Sequence, residues 1–417
     1  MEGEKKTGCR RRWKRAGGLM LGSIFLFAWS PLKAPAVQME VSEQERTEST
    51  EISGVLAQSA VLMDAETGRI LYGKNEDAVR PMASTTKIMT CILALENSSL
   101  DDVVEVSEHA ASMPDVQLNI RKGETYRLRD LLYSMMLESH NDSAMAIAEH
   151  VGGSQEGFAA MMNQKARDIG CVNTCFITPN GLDASVEETG EQHSTTAAEL
   201  AMILRYCIFQ SPKKEEFLEI TRAPSHTFAN LEGGRSFSCI NHNALLTSME
   251  GAVSGKTGFT NGAGYCYVGA VEKDGKTFIA SLLACGWPPH KTYKWQDMRR
   301  LIAYGDSHYE YCEILEKKVA LSPVTVQNGI REEVKVAVDY PRDASISVLM
   351  REDEQVRIRK KILKEMTAPV EEGVTAGQVD YYIGDDLAAS FPVKTTERVG
   401  EWTIKFCLKT LFKRFCF

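Results

Sequence analysis

Pro81-Met82-Ala83-Ser84-Thr85-Thr86-Lys87 runs without a break into the apolar-periodic Ile88, Met89, Ile92, Leu93 and Leu95, and the reading of this chain turns on that stretch. The periodicity predicts a helix over 87–96, with Ser84 on the approach to its N-terminus. Residues three apart share a helix face, so the Lys87 amine reaches the Ser84 hydroxyl. The helix N-terminus also places partial positive charge beside that hydroxyl, which favours an alkoxide. Spacing alone decides nothing: in 417 residues roughly one or two Ser-x-x-Lys matches arise by chance. Ser211-Pro212-Lys213-Lys214 is such a match, read as an exposed stretch with no partners.

Two further elements follow Ser84 in order. Ser139-His140-Asn141 lies between a helix pattern over 128–137 and another over 144–150, so it belongs to an interhelical loop. Lys256-Thr257-Gly258 precedes a strand-like run from Gly264 and sits among Gly251, Gly255, Gly262 and Gly264, where glycines let a strand edge approach a ligand closely. Each tripeptide is weak by itself; the ordered set is strong. The bland alternatives are that Ser139 and Asn141 cap the following helix, that His193 is a hydrogen-bonded structural histidine, that Asp183 closes a turn, and that Trp287, Trp295 and Tyr304 pack.

Around these elements, Ala60–Asp64 and Arg69–Gly73 read as a hairpin closed by Glu66-Thr67-Gly68, and 264–271 with 277–285 as a second hairpin. A further helix is expected over 158–169, after Ser154 as its N-cap. Strands first, helices in the middle and strands last predict an α+β fold, an antiparallel sheet assembled from both ends with an inserted helical cluster. Beyond Tyr311 the alternation of Val334, Val336 and Val338, with runs at 345–350, 356–363 and 379–383, predicts a small all-β domain.

The ordered Ser-x-x-Lys, Ser-x-Asn and Lys-Thr-Gly set resembles that of the penicilloyl-serine transferase superfamily. More narrowly, the chain is similar to low-molecular-mass penicillin-binding proteins, the serine-type D-alanyl-D-alanine carboxypeptidases. Pro81–Lys87, Asn180-Gly181-Leu182-Asp183, His193-Ser194-Thr195, Asn241–Leu246 and Gly255–Thr260 carry the resemblance, which spans about 58–311 and extends more weakly over the β domain and the tail. One departure is His140, where the family more often has a small residue.

The resemblance implies a β-lactamase/transpeptidase-like fold and a role for each matching residue. Ser84 attacks the carbonyl of the terminal peptide bond and forms an acyl-enzyme. Lys87 accepts the proton, kept neutral by burial and the Lys256 charge. Ser139 relays the proton to the leaving amine, and Asn141 orients Lys87 and the substrate amide. Lys256, helped by Thr257, receives the substrate carboxylate across the Gly258 edge. The backbone N–H groups of Ser84 and Phe259 form the oxyanion hole. Which base serves each half-reaction stays open. The implied substrates are peptidoglycan stem pentapeptides, with β-lactams as inhibitors and no metal or organic cofactor. The rivals are a class A-like β-lactamase, disfavoured by the lack of a Glu-x-x-x-Asn loop between Ser139 and Lys256, and a non-catalytic sensor, disfavoured by the lack of a transmembrane signalling link.

Charge and the chain ends place this body. Residues 1–36 carry +6 and 401–417 carry +3, so the stretch between them is more acidic than the net −8 of the whole and is not built to bind nucleic acid. Residues 1–36 read as a secretory signal: a basic segment, an apolar run from Gly17 to Trp29 too short to span a bilayer, and Ala34-Pro35-Ala36 for cleavage. An uncleaved anchor is the alternative, and both export the body. Residues 37–57 read as a flexible leader, 58–312 as the carboxypeptidase domain and 313–400 as the β-rich domain. In 401–417, Lys405, Lys409 and Lys413 make a cationic stripe opposite Trp402, Phe406, Leu408, Leu411, Phe412 and Phe415, an amphipathic helix for an anionic membrane surface. The expected location is the outer face of the bacterial cytoplasmic membrane. Eleven cysteines show no zinc-site spacing; Cys171 and Cys175 could bridge, but nothing in the sequence demands it.

Overall fold

In the computed structural model, which describes residues 52–316 and 318–415, the run from Ala60 to Met63 is buried on both sides. It forms β1 (Ser59–Asp64) of an antiparallel sheet with β2 (Ile70–Lys74), β3 (Ala252–Thr260), β4 (Gly264–Lys273) and β5 (Lys276–Leu283), in the order β2-β1-β5-β4-β3. The first and last hairpins therefore meet, Ala60 opposite Leu282 and Leu62 opposite Ala280. The expected signal and residues 37–51 of the expected leader lie outside the described residues; 52–57, expected to be flexible, are packed instead, with Val55 and Ala57 buried and Ala57 N donating to Asp297 Oδ2 at 2.8 Å.

Side chains alternate across the pleat, so each buried strand serves two cores. Val61, Met63, Val268, Ala270, Ile279 and Leu283 face the helical layer. Ala60, Leu62, Tyr267, Val271, Phe278 and Leu282 face the opposite way, with Met298, Leu301 and Ile302 of a C-terminal helix. That helix, Tyr293–His308, lies so close that a Cβ on Gly305 would sit 2.8 Å from the Phe278 ring and 2.9 Å from Leu62.

The helical layer comprises α1 (Lys87–Asn97), α2 (Leu128–Leu137), α3 (Asn141–Gly152), α4 (Gln155–Ile169), α5 (Ala197–Arg205) and α6 (Lys214–Arg222), followed in the chain by α7 (Tyr293–His308) on the other face. α1 is buried on every side from Lys87 to Leu95 and touches the other five helices of its layer, while α5 lies on β1, β4 and β5. Ser154 caps α4, accepting from Gly157 N, and Gly153 and Gly170 end α3 and α4 with left-handed backbones.

Several boundaries differ from the periodic reading. α3 starts at Asn141, three residues before the expected Ala144, because Asp142 finds buried donors in Leu118 N and Ile120 N, so a polar first turn is satisfied inside the fold. α4 starts at Gln155, directly after the expected Ser154 cap. α5, α6 and α7 have no counterpart in the expected elements; α6 is a short charged segment whose buried apolar stripe is only Phe217 and Ile220. Ser211, expected to be exposed and unpartnered, is buried and donates to Glu96 Oε1 at 2.6 Å.

Beyond α7, β6 (Glu310–Glu313) pairs with β8 (Ser347–Met350), and β7 (Val336–Val338), β9 (Val356–Ile362), β10 (Thr375–Ile383) and β11 (Asp386–Thr395) make a four-stranded sheet in the order β7-β11-β10-β9. Strands at Val324–Gln327, Glu333–Val334 and Glu365–Thr367 form a second, three-stranded sheet. β6 crosses the boundary expected at 312/313. β11 was not among the expected strands, since small residues and Pro392 mask its period; a two-residue turn with Gly384 at φ +60° joins it to β10. The chain ends in α8 (Ile404–Phe415). All nine described cysteines are free, Cys171 and Cys175 included, and burial pushes the Cys171 thiol up to about 12.

Candidate active site

The residues Ala83–Thr86 form one 3-10 turn that runs into α1. In such a turn residues i and i+3 eclipse, which is why Lys87 Nζ comes within 3.0 Å of Ser84 Oγ. The turn is strained: Ala83, directly before Ser84, has φ +49°. Two hydroxyls fold back to hold it, Thr85 Oγ1 donating to Met82 O at 2.6 Å and Thr86 Oγ1 to Ala83 O at 2.9 Å.

Lys87 is fully buried, and Nζ also donates to Asn141 Oδ1 at 2.8 Å and to the Asn180 carbonyl at 2.6 Å. Burial, then the neighbouring Lys256 charge, holds it well below the ordinary lysine value, with Asp142 opposing. A neutral amine has two N–H groups and one lone pair. Asn141 Oδ1 and Asn180 O take the two N–H groups, so the lone pair is left for the Ser84 hydroxyl. The Asn141 amide is oriented by its own Nδ2, which donates to Pro114 O at 3.1 Å and Asp115 O at 3.0 Å.

Ser139 links α2 to α3 at φ +70°, half-buried, and receives Lys256 Nζ at 3.0 Å. Neither Ser139 nor Asn141 caps α3: the N-cap is His140, which makes no capping bond. His140 is itself buried, with Nδ1 2.7 Å from Ser134 Oγ, and burial lowers its pKa. Lys256 is nearly as enclosed as Lys87, and burial pushes it down to about 7.

β3 carries Lys256, Thr257, Gly258 and Phe259 along its outer edge. Gly255 is needed because Tyr267 passes beneath, its Oη 2.3 Å from where a Cβ would be. Gly258 is needed because a Cβ there would lie 2.9 Å from Ser84 N. Thr257 is half-buried and the exposed Phe259 ring leans on Tyr265 at 4.7 Å.

Ser84, Lys87 and Asn141 are thus bonded together, Ser139 and Lys256 form a second bonded pair whose charge acts on Lys87, and Gly258 brings the strand carrying Thr257 and Phe259 against Ser84. Sequence reasoning assigned no role to the Asn180 carbonyl or to Gly181, although both fall in a motif it noticed. Gly181 has φ +86°, and a Cβ there would lie 2.0 Å from Ala83 O. Asp183, expected at a turn, accepts from Thr260 Oγ1 at 2.9 Å. A buried amine aimed at a hydroxyl, with a cation and an open strand edge alongside, is equipped for nucleophilic acyl transfer on a carboxylate-bearing substrate.

Comparison with known proteins identifies the family. The family model for D-alanyl-D-alanine carboxypeptidase matches residues 44–285, and that for the C-terminal domain of penicillin-binding protein 5 matches 309–401. The D-alanyl-D-alanine carboxypeptidase DacF of Bacillus subtilis is 28% identical over 411 residues, covering 94% of this chain and 99% of the relative. Among solved structures, the D-alanyl-D-alanine carboxypeptidase DacD of Francisella tularensis is 25% identical with a TM-score of 0.64, over 87% of this chain and 98% of that one. Penicillin-binding protein D2 of Listeria monocytogenes in its ampicillin-bound form is 30% identical with a TM-score of 0.51, over 60% and 97%.

Proposed function

The chain belongs to the D-alanyl-D-alanine carboxypeptidase family, and from that premise we propose how its residues divide the work. It is a serine-type carboxypeptidase of the low-molecular-mass penicillin-binding type, acting on peptidoglycan stem peptides and reacting with β-lactams. In our reading Ser84 attacks the carbonyl between the two terminal D-alanines while neutral Lys87 takes its proton. The Ser84 and Phe259 N–H groups receive the developing oxyanion, a contribution of about 3–4 kcal/mol per donor; the close pass of Gly258 over Ser84 N supports that pairing. Ser139, bonded to Lys256, relays the proton taken up by Lys87 to the departing amine. Lys256 and Thr257 hold the free carboxylate that sets a carboxypeptidase substrate apart from an internal peptide bond. Water then cleaves the acyl-enzyme.

The observation that carries this reading is the fully buried Lys87 amine, held 3.0 Å from Ser84 Oγ and bonded to Asn141 Oδ1 and Asn180 O. The test is D-alanine release from a soluble peptide ending in D-Ala-D-Ala. Ser84→Ala is expected to lose at least about 10³-fold; full release by that variant overturns the assignment.

The family's cell-wall activity makes this an exported protein. We read 401–417 as its peripheral anchor at the outer membrane face. Trp402, Ile404, Leu408, Leu411 and Phe412 are exposed around α8, alongside Lys405, and no described helix is long and apolar enough to cross a membrane. Those features support a helix lying in the plane of an anionic surface.

A further inference from the structure

The strained turn that presents Ser84 is tied to the rest of the site through a histidine that the chemistry above does not use. His193 Nδ1 accepts from Ile177 N at 2.9 Å and Thr178 N at 3.3 Å. An accepting Nδ1 carries no proton, so the ring proton is on Nε2. Nε2 lies 2.7 Å from Thr86 Oγ1, which becomes the acceptor there and turns its own proton to Ala83 O. The bonds therefore run one way, from the 177–178 backbone through His193 and Thr86 to the carbonyl just before the nucleophile. Both side chains are buried, and the Phe176 ring meets the imidazole edge-on at 5.8 Å. Backbone pairing repeats the link, since Ser194 and Thr195 pair with Pro81 and Arg80 on the approach to Ser84.

The anchored segment matters because residues 177–182 also carry the Asn180 carbonyl that receives Lys87 and the Gly181 that lies against Ala83 O. We propose that His193 is a positioning residue for acyl transfer: acting through the Thr86 hydroxyl, it locks the Ser84 turn to the loop that seats Lys87, and so sets the distance between nucleophile and base. The proposal rests on the serine-carboxypeptidase reading and adds to it a residue that never touches substrate. Burial and the nearby Lys87 charge push the imidazole down to about 4, so the neutral tautomer the relay requires is the one present at neutral pH.

The test uses the full chain, a fluorescent penicillin to measure the second-order acylation rate, and a D-Ala-D-Ala peptide to separate kcat from KM. Thr86→Val keeps the side-chain shape and removes the relay oxygen. It is expected to slow acylation by about 10- to 100-fold, the scale of small misplacements of reacting groups, with kcat falling and KM little changed. Thr86→Ser is expected to recover most of that loss. His193→Gln, which retains a donor, is expected to fall between parent and Thr86→Val, and adding it to Thr86→Val to slow acylation no further, because both act through one chain of bonds. A folded Thr86→Val protein that acylates at the parent rate overturns the relay and leaves the serine reading standing. So do equal losses in Thr86→Val and Thr86→Ser, or losses that add in the double variant. A parent protein that penicillin does not label at all overturns the serine reading and the relay with it.

Discussion

Lys87 and Lys256 are both removed from water, yet they meet different partners. Lys87 has acceptors for two N–H groups and a hydroxyl for its lone pair, an arrangement that suits a neutral base. Lys256 has Ser139 Oγ and the Thr257 carbonyl at 3.0 Å each, and among the described residues no carboxylate pairs with it. Burial favours its neutral form, so it loses its proton near pH 7 in the free protein. A substrate carboxylate restores the missing counter-charge and raises that pKa. Binding a D-Ala-D-Ala peptide to the Ser84→Ala variant at about pH 8 is therefore expected to take up close to one proton per site. Calorimetry in buffers of different ionisation enthalpy reads that number. The uptake should vanish for a C-terminally amidated peptide and in Lys256→Gln; uptake that persists in either removes Lys256 from the carboxylate site.

At the scale of elements, the site is made by backbones meeting where only glycine fits. Gly181 and Gly153 both have positive φ, but their surroundings differ. Gly153 ends α3 with nothing near its missing Cβ, whereas Gly181 sits on the carbonyl before Ser84. Gly153→Ala is expected to cost about 1 kcal/mol of stability and leave penicillin labelling unchanged. Gly181→Ala adds a steric clash to backbone strain of about 1–3 kcal/mol and pushes the Ser84 turn, so labelling slows as well. Thermal unfolding together with labelling rates distinguishes them; unchanged labelling in Gly181→Ala would show that the turn does not depend on that contact. Much of this was legible in the chain: both hairpins, α2 to the residue and the Ser154 cap. The unread elements, α5, α6 and α7, owe their stability to the surfaces they cover more than to any local signal.

For the chain as a whole, the β-rich segment is fastened to the first hairpin by Arg69, which donates to Leu349 O at 2.7 Å and pairs with Glu354. Tyr311 Oη adds a bond to Glu66 at 3.1 Å. The amphipathic α8 follows at the far end of the sequence. Deleting 401–417 is expected to abolish co-sedimentation with vesicles containing an anionic phospholipid while D-alanine release from a soluble peptide stays at the parent rate, since no site residue lies in the tail. Undiminished vesicle binding would assign the membrane contact to another part of the protein.

Short-range geometry is what residues alone could settle. Ser84 and Lys87 are three apart, and any helical turn that contains both brings amine and hydroxyl together. Motif order then named the chemistry, and strand and helix order named the fold class. Convergence was another matter: Lys87 meets Asn141 across 54 residues, Thr86 meets His193 across 107, and Lys256 meets Ser139 across 117. Nothing local encodes such distances. They exist because two cores press one sheet between the helical layer and α7, and because that packing excludes the water that would keep both lysines charged. Whether His193 was a spectator or a link in the site depended likewise on which backbone its Nδ1 faced, a fact that belongs to the folded chain.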